Sequence, residues 1–171
     1  MIPDGWRTTG ERRMYLAKIE LSQLQRIRGS GYPEPYASMM NKRSYLRLGE
    51  AGGLTQFGAN ITILEPGGVS SMRHWHMHED EFVMVTQGQV VMVTDDGETA
   101  MGIGDCAAFP AGVENGHHFV NRSGAEARFL VVGTRAATET VYYSDVDMMI
   151  VDVDGKGIYT RKDGSPITQE H

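Results

Sequence analysis

One cysteine, Cys106, stands among 171 residues, so no internal disulfide can brace the chain. Lysine and arginine number 16 against 22 aspartates and glutamates, they form no block, and the net charge is -6. That balance argues against nucleic acid or an anionic membrane surface as the main partner and leaves a small molecule as the expected ligand. No apolar run approaches the length of a membrane span and no segment resembles a secretory leader, so a cytoplasmic location is the expectation. Sustained helical periodicity is lacking beyond the first third of the chain. What is present is 40% apolar residues, enough for one domain to bury a proper core.

The apolar residues fall in short runs separated by Gly, Pro, Asn and Asp, the pattern of an all-β domain. "FGANITILEPGG" reads as a strand ended by Pro66 and two glycines, and "ARFLVVGT" as another. Asp95, Asp96 and Gly97 between apolar segments predict a tight hairpin, because these residues tolerate the positive φ of primed turns. The segment Glu11 to Ile27 fits either an amphipathic helix or alternating strand and coil; strand and loop is the favoured reading. Pro33 and Pro35 mark loop. Asp152, Asp154 and Gly155 lack the further acidic positions of a calcium loop and read as a turn. Cys106 reads as a small buried residue rather than a nucleophile. His171, at the chain end, is expected to be disordered. Periodicity of this kind allows a sandwich or a barrel and does not choose between them.

The chemistry concentrates at His74, Trp75 and His76, followed by Glu81 and Gly88 and preceded by Gly68. In an extended strand alternate side chains share a face, so His74 and His76 point the same way with Trp75 opposite. Glu81 follows the polar loop Met77 to Asp80 and opens the apolar run Phe82 to Thr86, which reads as a strand folding back antiparallel to the first and setting a carboxylate against the imidazoles. Two imidazoles and a carboxylate at this spacing predict a metal ion. His78, Glu79 and Asp80 read as a solvated loop.

The stretch Gly68, His74, His76, Glu81, Gly88 resembles the first conserved motif of the cupin superfamily at every spacing. "GDCAAFPAGVENGHHFVN", with Gly104, Pro110, Gly112 and Asn121, is similar to the second motif, except that Asn115 stands where cupins usually place a histidine and the next histidine comes two residues later. The motif gap to Asn121 favours His117 as the third imidazole ligand, sharing a face with Phe119; a one-residue slip in register would present His118 instead. Further likeness, in "YPEPY", "GLTQFG", "YYSDVDM" and other short stretches over about residues 30 to 165, is to small single-domain bacterial cupins.

The resemblance implies a cupin double-stranded β-helix, a jelly-roll-like barrel over 51–140, with an extended N-terminal segment over 1–50 packing on it and a C-terminal extension over 141–171. It implies metal ligands His74, His76, Glu81 and His117 around Fe, Mn, Ni, Co or Zn, with one or two coordination positions left for water or a chelating substrate. Without His117, the remaining set would be the two-histidine, one-carboxylate arrangement of non-haem iron oxygenases. Strand position alone suggests Asn60, Phe119 and Asn121 as pocket residues, although Asn60 fits a structural role equally. No separate acid or base stands out among Tyr142, Tyr143 and Glu114. An enzyme acting on a small polar, metal-chelating molecule is the leading expectation, with dioxygenase, decarboxylase, lyase and isomerase chemistry all open. A non-catalytic binding or sensing module is the alternative. The resemblance also implies a homodimer.

Overall fold

A computed structural model describes residues 18–153 and 156–167. Two short strands, β1 (Ile27–Arg28) and β2 (Arg43–Arg47), flank a single helical turn, α1 (Tyr36–Met39); a second turn, α2 (Leu48–Ala51), leads into β3 (Phe57–Leu64). There follow β4 (His74–His76), β5 (Glu81–Gln87), β6 (Gln89–Thr94), β7 (Gly97–Gly102), β8 (Cys106–Phe109), β9 (His118–Val120) and β10 (Ala127–Thr134). The strands β11 (Thr140–Tyr143), β12 (Met149–Val153) and β13 (Lys156–Thr160) complete the set.

These strands make the two walls of a jelly-roll. One wall is a six-stranded sheet in the order β1-β2-β3-β10-β5-β8. The other consists of β13-β12-β11-β4 and β7-β6-β9, joined where His74 bridges His117 and Val69 bridges Val120. Between the walls lie Leu64, Val83, Val85, Phe119 and Phe129, all at most 2% exposed. Each such side chain stabilises the fold by roughly 1.5–3 kcal/mol relative to exposure. The outer face of the six-stranded sheet is covered too, where Leu46, Ile61 and Ile63 pack under Leu24, Leu48 and Leu130. Burial on both faces explains the uninterrupted buried end of β3, "ITIL", which an alternating half-buried strand would not show.

The two glycines of the first motif mark places where a side chain has no room. A Cβ at Gly68 would lie 2.8 Å from the Lys42 carbonyl oxygen, and Gly88 combines a φ of 69° with a Cβ position 2.9 Å from the Glu126 carbonyl oxygen. The hairpin of Asp95 and Asp96 is present, with Thr94 opposite Gly97 and φ of 118° at Gly97. The strand at "ARFLVVGT" coincides with β10.

Several expectations are corrected. β5 does not fold back on β4: β4 pairs with β11, β5 with β10 and β8, and the Met77–Asp80 loop carries the chain from one wall to the other. Across the boundary set after residue 50, β2 pairs with β3, and across the one after residue 140, β11 pairs with β4. Residues on both sides of those boundaries therefore belong to the same sheets. Cys106 is exposed, because it stands on the edge strand β8 opposite Met84, on the same outer face of the sheet as Phe82. Within the ambiguous N-terminal stretch, residues 11–17 lie outside the described residues; the remainder is coil with one 3-10 turn, Leu21–Gln23, and the strand at Ile27. Asp152 lies in β12, while Asp154, Gly155 and His171 lie outside the described residues. Among the described residues no helix is long and apolar enough to cross a membrane.

Candidate metal centre

Three chain segments bring the site together. His74 and His76 lie two apart on β4, so both rings leave the same face, with centroids 5.1 Å apart. Trp75 takes the opposite face and stacks on Tyr142 at 4.6 Å. His117 is the cross-strand neighbour of His74: each backbone N–H donates to the other's carbonyl, at 3.1 and 2.8 Å, which makes them a hydrogen-bonded antiparallel pair. Side chains of such a pair share a face, and the two rings stand 4.9 Å apart. Glu81 arrives from the other wall, as the first residue of β5.

The carboxylate therefore meets the imidazoles across the barrel rather than along a hairpin. His74, His76 and Glu81 each offer a ligand atom, all within 4.8 Å of one another. Glu81 Oε2 is 3.5 Å from His76 Nε2, and Oε1 is 3.5 Å from His117 Nε2. His118 looks away, its Nδ1 lying 3.1 Å from the Ser71 carbonyl oxygen.

The donor set suits a divalent cation. His74 Nδ1 donates to the Met72 carbonyl oxygen at 2.9 Å, which puts the proton on Nδ1 and leaves Nε2 free as a ligand. His117 is 1% exposed and neither of its ring nitrogens has a hydrogen-bond partner; His76 Nδ1 is likewise buried without one. Leaving such a group unmatched costs about 1–3 kcal/mol, and a shared cation is what would satisfy Nε2 of His117 beside Glu81. Protonation states agree. Burial, reinforced by the neighbouring His117 and His76, pushes His74 down to about 3, so its ring is neutral. Burial alone would raise the Glu81 carboxyl, but the His117 and His76 imidazoles outweigh it and hold the group below the usual carboxylate range.

Phe109 lies flat against His117, with centroids 3.5 Å apart and planes 7° from parallel, and so limits its rotation. The longer loop before His117 also has an anchor. Asn115 accepts from the Asp95 N–H at 2.9 Å and donates to Asp96 at 2.8 Å, so the residue at the usual histidine position fastens the loop to the β6–β7 turn.

A cavity of about 220 Å³ opens from the site toward the six-stranded sheet. His74, Glu81 and His117 form one end, and Arg43, Tyr45, Thr62, Ser70 and Ser71 contribute polar groups beyond them. Asn60 and Phe119 line this cavity, as strand position suggested. Asn121 does not belong with them. It is fully buried, with its amide nitrogen donating to the Leu64 and Ala125 carbonyls at 2.9 and 2.8 Å and its oxygen accepting from the Ser123 N–H and hydroxyl. Every hydrogen-bonding position of that side chain is used in closing the turn before β10. A second cavity, about 340 Å³, reaches His76 and His117 from the side of Trp75, Met92 and Val113.

Sequence reasoning missed Arg43, Tyr45, Thr62 and the tyrosine cluster beside His74. Tyr143 stands 5.9 Å from the His74 ring, and Tyr32 meets it edge-on at 5.5 Å. Burial raises the phenols of Tyr143 and Tyr32, and pushes Tyr159 up to about 12, so all three are neutral donors. The one signal for β2 was the alternation in "RSYLR", which carries no hint of a site.

The cupin-domain family model matches residues 60–133. A sugar phosphate isomerase of the cupin superfamily from Silicibacter pomeroyi is 59% identical, with a TM-score of 0.86 over 88% of this chain and 96% of that one. A candidate sugar phosphate isomerase from Acidithiobacillus ferrooxidans is 25% identical over 75% of this chain and 81% of that one, with a TM-score of 0.67. A polyketide cyclase from Streptomyces resistomycificus, 24% identical over 70% and 79%, with a TM-score of 0.56, shares the fold. No curated protein matches the chain. With the same barrel, and at 59% identity to a cupin over most of its length, this chain belongs to the cupin superfamily.

Proposed function

We propose that this cupin is a metal-dependent enzyme that isomerises a phosphorylated sugar, with His74, His76, Glu81 and His117 as ligands to a divalent transition metal. The observation that carries the reading is the 59% identity to a sugar phosphate isomerase across 96% of its length. The polar cavity adjoining the four side chains supports it. A bound divalent ion supplies Lewis-acid polarisation of a sugar carbonyl.

The chain's own residues supply the rest. Aldose–ketose interconversion moves a proton between adjacent carbons; among the described residues Glu81 is the one carboxylate lining the cavity, and, held ionised by its imidazole neighbours, it serves as a ligand to the ion and not as the base. Asn60, Thr62, Ser70 and Ser71 offer the mixed donors and acceptors that sugar hydroxyls need, and the neutral phenol of Tyr32 adds a donor. Phe119, Phe129 and Val131 wall the cavity with apolar surface and keep bulk water from it.

We further propose a homodimer. Phe57 and Phe82, 37% and 41% exposed, lie with Ala108, Pro110 and Val132 around an apolar depression at the end of the six-stranded sheet, a surface that a second copy would cover.

The test loads metal-free protein with manganese, iron, cobalt, nickel or zinc singly and follows aldose and ketose phosphates by proton NMR in deuterated water. Interconversion with at least one metal is the expected result. Tight metal binding with no turnover of any pentose or hexose phosphate would overturn the isomerase reading and leave a ligand-binding module.

A further inference from the structure

We propose that Arg43 is the anion subsite of the cavity and receives the phosphate group of the substrate, an assignment that rests on the isomerase reading above. The starting point is the face on which Arg43 lies. In β2, Arg43 stands opposite Leu64 and Tyr45 opposite Thr62, and directly opposed residues share a face, so Arg43 and Tyr45 belong to the inner face of the six-stranded sheet. Ser44 and Leu46 take the outer face, where Leu46 packs with Ile61 and Ile63. A guanidinium planted on the interior face of a barrel is costly unless something compensates its charge.

Little in the fold does so. Among the described residues Arg43 enters no ion pair. Its Nη1 donates to the Gly29 carbonyl oxygen at 3.2 Å, its guanidinium carbon lies 5.1 Å from the Tyr45 ring centre, and its Nε is buried with no partner. Arginine carries five donors in a rigid fork suited to two oxygens at once. Several of the five are therefore uncommitted where the residue lines the cavity.

The surroundings complete an oxyanion site. The Ser70 hydroxyl oxygen accepts from the Phe119 N–H at 2.9 Å and shares a hydrogen bond of 3.2 Å with the Ser71 hydroxyl, so one of the two hydroxyl protons is used between them and the other is left for a ligand on the cavity wall. Charge selects the kind of anion. Among the described residues Glu81 is the only carboxylate lining the cavity, and a divalent ion at the imidazoles together with Arg43 would leave two positive charges uncompensated. A phosphate monoester dianion matches that surplus, whereas a carboxylate meets half of it. The substrate would thus span the cavity, with its carbonyl end toward Glu81 and its phosphate on Arg43.

Calorimetric titration of inorganic phosphate into wild type, Arg43→Met and Arg43→Lys, each metal-free, tests the subsite without turnover. The expected result is loss of affinity by about tenfold or more in Arg43→Met, from charged hydrogen bonds no longer made. Arg43→Lys keeps the charge without the fork and should fall between; it also serves if Arg43→Met fails to fold. Undiminished phosphate binding in a folded variant overturns the subsite. If phosphate binding depends on Arg43 and no sugar phosphate turns over, the isomerase reading falls and the subsite stands. If sugar phosphates turn over with KM unchanged in Arg43→Met, the subsite falls and the isomerase reading stands.

Discussion

His117 and His118 are adjacent in sequence, yet strand parity sends them to different surroundings: one ring stacks under Phe109 beside Glu81, the other lies against the Ser71 carbonyl. Replacing a ligand costs at least as much as replacing a group that merely orients one, about 10–100-fold in metal affinity. His117→Ala should therefore weaken metal binding by about tenfold or more, and His118→Ala should leave it nearly unchanged; competitive titration with a fluorescent chelator measures both. Asn121 gives the converse case. Its amide satisfies two carbonyls and two Ser123 donors at full burial, so Asn121→Ala should destabilise the fold by about 2–4 kcal/mol, read from urea unfolding, while metal affinity persists. Equal losses of metal in both histidine variants, or metal loss in folded Asn121→Ala, would contradict these assignments.

The loop between β8 and β9 shows what an element adds to its residues. With Asn115 fastened to the turn at Asp95 and Asp96, position 115 is held on the hairpin side and cannot deliver a ring to Glu81. Asn115→Ala removes both bonds and should lower metal affinity by loosening the loop that presents His117, read by the same chelator titration; unchanged affinity would show that the backbone pairing of His117 with His74 holds the loop by itself. Local pattern made much of the site legible. The i, i+2 spacing of His74 and His76 guarantees a common face once the segment is a strand, and period-two parity coupled to the motif gap separated His117 from His118. The same logic failed for β5. A four-residue loop between apolar runs resembles a hairpin, and nothing local reveals that Met77–Asp80 crosses between walls. Nor could spacing disclose that the Asn121 side chain is consumed by its own turn. Arg43 escaped for a different reason: its meaning depends on pairing with Leu64 of β3, 21 residues and a helical turn away, and its alternating pattern is that of any half-buried strand.

At the scale of the whole molecule, Phe57 and Phe82 stand with Ala108, Pro110 and Val132 around an apolar depression that the chain itself leaves open. Phe82 lies on β5 opposite Val132 and Ala108, on the outer face of the sheet. Phe82→Glu should convert a dimer to a monomer in light scattering after size exclusion, with metal content retained; a wild-type monomer at micromolar concentration would remove the proposal. The strand that brings Arg43 lies upstream of the stretch 60–133 that contains the four ion-facing side chains. Exchange of that one segment between relatives would retune which anion is admitted while sparing the reactive core, so a lineage could diversify its metabolites by editing a border of the gene and inherit the coordination chemistry intact.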